Sequence, residues 1–150
     1  MLGWLRSGEQ LWIERLGNLR NVVRQEVIGR QIADYVEPGM SVLDVGCGQG
    51  TQGLRLARLG CVVTGVDPSR ELLGRFAANA AGADASVELV VGRLEDLDVL
   101  VGTRTFDVVC AHGLLMYLDD RAAAVAQLLG ASNPGPAGSR SRCETAMHWP

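Results

Sequence analysis

Apolar residues recur every three or four positions from Leu16 to Tyr35. Leu16, Leu19, Val23 and Val27 form one series, and Ile28, Ile32 and Tyr35 continue it. That period predicts a helix over residues 9–36, with Arg15, Arg20, Arg24 and Arg30 on its other faces. Pro38 and Gly39 stop it. The pattern then changes. "SVLDVG", residues 41–46, is a short apolar run that predicts a strand. Helical spacing resumes over 51–59 and closes at Gly60. "CVVTGVD" (61–67) predicts a second strand, ended by Asp67 and Pro68. Residues 69–80 predict a helix with Ser69 as its N-cap. "VELVVG" (87–92) and "FDVVCAHG" (106–113) predict a third and a fourth strand, and the alanine-rich segment 119–129 a fourth helix.

Strands that alternate with helices imply βαβ units, so the expected fold class is α/β, a parallel sheet covered by helices on both faces. Crossovers in such sheets are right-handed, and ligands lie at the carboxyl ends of the strands near the switch in strand order. The last twenty residues, "ASNPGPAGSRSRCETAMHWP", have no period and no apolar face, and predict a disordered tail. The expected organisation is therefore one structured unit over 1–130 and a tail over 131–150.

Composition narrows the picture only a little. A chain of 150 residues has room for one core, and a formal charge of −3 points neither toward nor away from nucleic acid. Cys47, Cys61, Cys110 and Cys143 show no CxxC spacing, and only His112 and His148 are available to join them, so no metal site is expected. Scattered cysteines without a signal peptide fit a reducing, cytoplasmic setting. No apolar run approaches the roughly 20 residues that span a bilayer, so no membrane partner is expected.

The chemistry concentrates in "VLDVGCGQGTQG", residues 42–53. Gly46, Gly48, Gly50 and Gly53 follow the end of the first strand directly. Glycine weakens regular structure, so this density implies a turn that a ligand approaches closely. Two ligand classes fit. Gly48-x-Gly50-x-x-Gly53, with Asp67 further on, matches a dinucleotide fingerprint. The other register begins earlier, as Asp44-x-Gly46-x-Gly48-x-Gly50. Its acid lies inside the strand, where a phosphate is disfavoured and a cationic ligand such as S-adenosylmethionine is tolerated.

In that register "VLDVGCGQG" resembles motif I of the class I S-adenosylmethionine-dependent methyltransferases, and "VTGVDPS" resembles their second motif. "VELVVGRLEDL" is similar to the segment that covers the adenine, and "FDVVCAHGLLMYLDD" to the segment facing the methyl group. The resemblance covers about residues 9–130 and implies a Rossmann-like methyltransferase fold with S-adenosylmethionine as cofactor. It implies that Asp67 accepts hydrogen bonds from the ribose hydroxyls, that Asp44, Gly48 and Gly50 belong to the cofactor site, and that Gly46 and Cys47 lie beside the cofactor's methionine part. "VVRQEVI" and "AHGLLMYL" resemble a bacterial subgroup that esterifies uridine-5-oxyacetic acid at the tRNA wobble position. That subgroup implies Arg24 on the cofactor carboxylate, Leu94 and Glu95 around adenine, and His112 at the rim of the fourth strand. Arg93 stands where many members carry an acid, which leaves the backbone of Leu94 and Glu95 to meet the adenine. Methyl transfer from a sulfonium needs alignment and a dry site more than proton transfer, so no general base is assigned.

Each residue also has a plainer reading. Arg24 fits a solvated helix face, Asp67 a cap on the next helix, Glu95 a surface charge and His112 a structural histidine. Met116 and Tyr117 fit packing. The family sheet has seven strands, and the pattern here ends after the fourth, which would stand as an exposed edge. Codons allowed for the tail permit a shifted frame that restores a Leu-x-Pro-Gly turn, so an out-of-frame reading from about residue 131 is the expectation. Three functions follow: a methyltransferase, an inactive S-adenosylmethionine-binding fragment, or an NAD-dependent oxidoreductase domain. The acceptor is open, with tRNA one candidate.

Overall fold

The computed structural model of the protein describes residues 18–134, residues 8, 10 and 14, and the backbone of 143 and 144. Helix α1 (Leu19–Ala33) starts at Asn18, whose side chain accepts the Asn21 N–H at 3.0 Å. There follow β1 (Ser41–Val45), α2 (Thr51–Arg58), β2 (Val62–Asp67), α3 (Arg70–Gly82) and β3 (Val87–Val91). The chain continues through a 3-10 turn (Leu94–Asp96) into α4 (Leu97–Val101), β4 (Val108–Cys110), a second 3-10 turn (Leu115–Tyr117), α5 (Arg121–Gly130) and β5 (Cys143–Glu144). The strands are parallel and ordered β3-β2-β1-β4-β5.

Alternation along each strand divides the core. Val42, Val63 and Val108 face one side, where Ile32 of α1, Leu56 of α2 and Phe76 of α3 cover them. Leu43, Val45, Val66 and Val109 face the other, under Leu97 of α4 and Leu128 of α5. Burial on both sides is why these strands read as unbroken apolar runs. Because β4 lies beside β1 while β2 and β3 lie on its other side, the strand order reverses at β1. The loops leaving β1 and β4 diverge there and form a crevice at their carboxyl ends.

Three expectations change. First, the early part of the apolar series on α1 is not its buried face: Leu19, Val23 and Val27 are 78%, 55% and 49% exposed, while Ile28 and Ile32 turn to the core as expected. The helix instead packs through Gly29 and Ile32, with the Arg55 guanidinium lying against Gly29 and ion-paired to Glu26. A glycine admits that close approach, and hydropathy does not mark it. Leu16 lies outside the described residues. Second, α4 was not foreseen, because a five-residue helix is too short to show a period. Third, the outer edge of β4 is paired. Phe106 bridges to Ser132, and Val109 and Cys110 pair with residues 143 and 144. Backbone pairing needs no apolar pattern, which is why the tail sequence did not announce it. The rest of the expected tail, residues 135–142 and 145–150, lies outside the described residues. Met116 and Tyr117, expected to pack, are 57% and 65% exposed on the second 3-10 turn.

Candidate functional site

The glycine turn is built by backbone that other residues adopt poorly. Gly46, Gly48 and Gly50 have φ of +73°, +54° and +86°. Gly50 is the left-handed N-cap of α2. The turn is tied to the end of β2. Gly46 N–H donates to the Val66 carbonyl at 2.7 Å and Cys47 N–H to the same oxygen at 3.2 Å. Gly48 N–H donates to Asp67 Oδ2 at 2.9 Å, and Ser69 N–H to Asp67 Oδ1 at 2.8 Å. Asp67, 7% exposed, thus holds the turn of β1 and the start of α3 together. Asp67 is not itself the cap weighed for it from sequence: it accepts the N–H of the residue that caps α3 and that of the glycine turn. Ser69 is the N-cap of α3, accepting the Leu72 N–H at 3.2 Å.

Behind the turn lies a cavity of about 40 Å³. Asp44, Gly46, Cys47, Gly48, Gln52 and His112 are among the residues that line it. Asp44 is 3% exposed. Burial, and then the charge of Asp67, pushes its carboxyl up to about 7. Burial together with Asp44 and Asp67 also raises the Cys47 thiol, so Cys47 is an inert neutral group. Burial and the charge of Arg24 push His112 down to about 4, so its imidazole is neutral at pH 7. Gln52 Nε2 donates to the Gln25 carbonyl at 2.9 Å and to Gln25 Oε1 at 2.6 Å. Those two acceptors fix the amide orientation and turn Gln52 Oε1 away from α1. Gln52 Oε1 and both His112 ring nitrogens are buried and have no hydrogen-bond partner.

The expected residues are only partly gathered. Asp44, Gly46, Cys47, Gly48 and His112 share the cavity wall. Gly50 shapes the turn above it. Arg24 sits on α1 with Nη2 3.0 Å from where a Cβ on Gly113 would stand, and its charge reaches His112. Leu94 is 4% exposed and packs in the core, so only its backbone is available to a ligand. Glu95 is exposed on the 3-10 turn after β3. Gln25 and Gln52 were missed, since one glutamine at a helix start reads as solvated surface. A larger cavity of about 460 Å³ opens between α4 and α5, around Arg104. Arg104 pairs with Glu88 near the amino ends of the strands, away from the glycine turn, so the larger cavity is not the candidate site. Among the described residues, Cys47 and Cys61 are free thiols, no group of three or more His, Cys, Asp or Glu could hold a metal ion, and no helix is long and apolar enough to cross a membrane.

The strand order, the acid-bearing glycine turn and the acid at the tip of β2 define the class I S-adenosylmethionine-dependent methyltransferase fold. A family model described as a methyltransferase domain matches residues 42–135, and the chain belongs to that family. It is 38% identical over 137 residues to a ubiquinone biosynthesis O-methyltransferase of Methylobacterium nodulans, covering 88% of this chain and 54% of that protein. The protein of that name from Xanthomonas campestris pv. campestris (strain B100) is 31% identical over 132 residues, covering 88% of this chain and 52% of the relative. The chain thus spans about half the length of these relatives. The structure of magnesium protoporphyrin IX methyltransferase from Synechocystis PCC 6803 with bound S-adenosylmethionine shares the fold. Its TM-score is 0.71 at 22% identity, with 85% of this chain and 67% of that one covered.

Proposed function

We propose that this chain binds S-adenosylmethionine at the carboxyl ends of β1, β2 and β4 and serves methyl transfer to an oxygen nucleophile. The observation that carries the reading is the acid-lined glycine turn. Asp44 stands in the wall of the cavity beside Gly46 and Gly48, a poor place for a phosphate and a fit one for a cation. The orphaned acceptors Gln52 Oε1 and His112 point the same way, since an ammonium group supplies donors and no acceptors. Bound there, the cofactor supplies an electrophilic methyl group on a sulfonium.

In this reading Gly46 and Cys47 lie beside the methionine part, and Gly48 and Gly50 keep the turn open. Arg24 meets the cofactor carboxylate and Asp67 the ribose hydroxyls. The backbone of Leu94 and Glu95 meets the adenine, and His112 stands at the rim of β4. An oxygen acceptor is supported by the relatives, which are named O-methyltransferases. A carboxylate on a modified tRNA uridine is one such oxygen. It rests on "VVRQEVI" and "AHGLLMYL" alone, and neither relative described above carries a name that supports it. A dinucleotide is disfavoured by Asp44.

Calorimetric titration with S-adenosylmethionine and with NAD tests the reading. Binding of the first and not the second is expected; the reverse overturns it. Asp67→Ala is expected to weaken S-adenosylmethionine by about 1.5–3 kcal/mol for each charge-assisted hydrogen bond lost. It also removes the acceptor of the Gly48 N–H, so unchanged affinity would reject both roles at once. Gly46→Val is expected to abolish binding. A β-branched residue at φ +73° is strained, and its Cβ would stand 3.4 Å from the Leu114 side chain. A folded Gly46→Val protein that binds the cofactor normally shows the turn to be read in the wrong register.

A further inference from the structure

The outer side of α1 carries a ridge that the body of the protein leaves uncovered. Leu19, Val23, Val27, Gln31 and Tyr35 recur at intervals of four, so they stand in one row. The row runs past the end of the helix because Asp34, its C-cap, keeps helical φ and ψ. All five residues are exposed, and all but Gln31 are large and apolar. α1 meets the sheet on the opposite side, through Ile28, Gly29 and Ile32. Apolar residues scattered singly on a surface need no explanation, whereas a row of them marks a contact.

We propose that this ridge is the contact between two copies of the chain, with the α1 helices antiparallel about a two-fold axis at Val27. In such a contact, residues equally far before and after Val27 face each other. Leu19 meets the second copy's Tyr35, Val23 meets its Gln31, and Val27 meets its own counterpart. The same register sets Arg20 against the second copy's Asp34, once at each end. Both are exposed, and neither makes an ion pair among the described residues. The ridge is thus complementary to itself in charge as well as in apolar character.

The other charges of α1 do not oppose the contact. Arg30 Nε is paired with Glu26 at 2.9 Å, and Glu26 also holds Arg55. Arg24 turns away from the ridge, toward Gly113. A bilayer is a poorer occupant, because Glu26 and Asp34 flank the ridge where a membrane-surface helix carries lysine and arginine. A single face of a 15-residue helix falls short of the about 800 Å² per partner of a standard interface, so the dimer is weak. It bears on the candidate site all the same. α1 is the helix that brings Gln25 to Gln52 and Arg24 to the loop after β4, so each copy braces a wall of the other's site.

The test is sedimentation velocity of the whole chain from about 1 to about 200 µM, the range in which a weak dimer forms and dissociates. The wild type should pass from monomer to dimer across that range. Arg20→Asp sets acid against acid at both ends of the contact, and Asp34→Arg sets arginine against arginine. Each alone should raise the dissociation constant about tenfold. Mixed in equal amounts, the two variants should associate about as tightly as the wild type, since every pair again joins opposite charges. Val27→Glu, which places two carboxylates on the axis, should stay monomeric throughout. A wild type that is monomeric at every concentration overturns the inference, and does so without any variant. So does a dimer that all three substitutions, in chains shown to be folded by circular dichroism, leave intact, or a mixture that fails to associate. Monomers that sediment with phosphatidylglycerol vesicles, and lose that binding in Val27→Glu, would assign the ridge to a membrane instead.

Discussion

Replacing Gly50 with alanine is expected to cost about 2–5 kcal/mol, because two penalties add at one atom. The residue has φ +86°, where an L side chain is strained by about 1–2 kcal/mol. A Cβ there would also stand 2.1 Å from Cδ2 of Phe76, with two more ring carbons within 2.5 Å. Phe76 is fully buried against Val63 and Leu56, so the ring has nowhere to retreat without disturbing α3. Overpacking of that kind costs about 1–3 kcal/mol, against a typical net stability of about 5–15 kcal/mol. Chemical denaturation is the measurement. Gly74→Ala is the control: it lies in α3, nothing stands within 4 Å of its Cβ, and it should stabilise by about 1 kcal/mol. Adding Phe76→Leu to Gly50→Ala should relieve the clash and leave the backbone strain. If Gly50→Ala unfolds at the wild-type denaturant concentration, the turn does not have this shape.

That turn was legible in the sequence because its physics is local. Glycines at alternate positions after an apolar run have few explanations, and Asp44 chose the register. The βαβ order was legible for the same reason, since each strand is buried on both faces and reads as an apolar run. What escaped the sequence is tertiary. Leu19, Val23 and Val27 keep helical spacing yet face outward, because α1 packs at Gly29, where Arg55 closes over it. Spacing identifies a helix and not the side that a neighbour will cover. Gln52 escaped because its meaning comes from Gln25, which is 27 positions earlier and on another helix. The pairing of 143 and 144 with β4 escaped because it is made by backbone, which every residue carries alike.

The unliganded protein is expected to conceal two opposed titrations, which single substitutions will uncover. Burial pushes the folded-state pKa of Asp44 up to about 7 from its ordinary value of 3.8. Between those values the folded state holds a proton that the unfolded chain has lost. Its contribution is therefore complete below about pH 4 and is lost as pH rises through about 7. The difference, 7 minus 3.8, corresponds to about 4 kcal/mol. His112 acts oppositely. Its folded pKa is about 4 against 6.5, so the unfolded chain binds the extra proton and stability rises with pH over that window. There 6.5 minus 4 corresponds to about 3 kcal/mol. The two contributions oppose each other, so wild-type stability should change less with pH than either group alone would make it. Glu26 and Glu88 have lowered pKa values and lose their contribution below that window, at exposed sites where it is small. Asp44→Asn keeps the shape of the side chain and removes its titration. Its stability should rise with pH, and at pH 8 it should exceed the wild type by up to about 4 kcal/mol. His112→Asn should do the reverse and lose stability steadily as pH rises. Urea unfolding of the three proteins at about pH 4.5, 6 and 8 separates these curves. Parallel curves for all three would mean that neither group is buried in the state drawn here, and that the cavity wall is open to water.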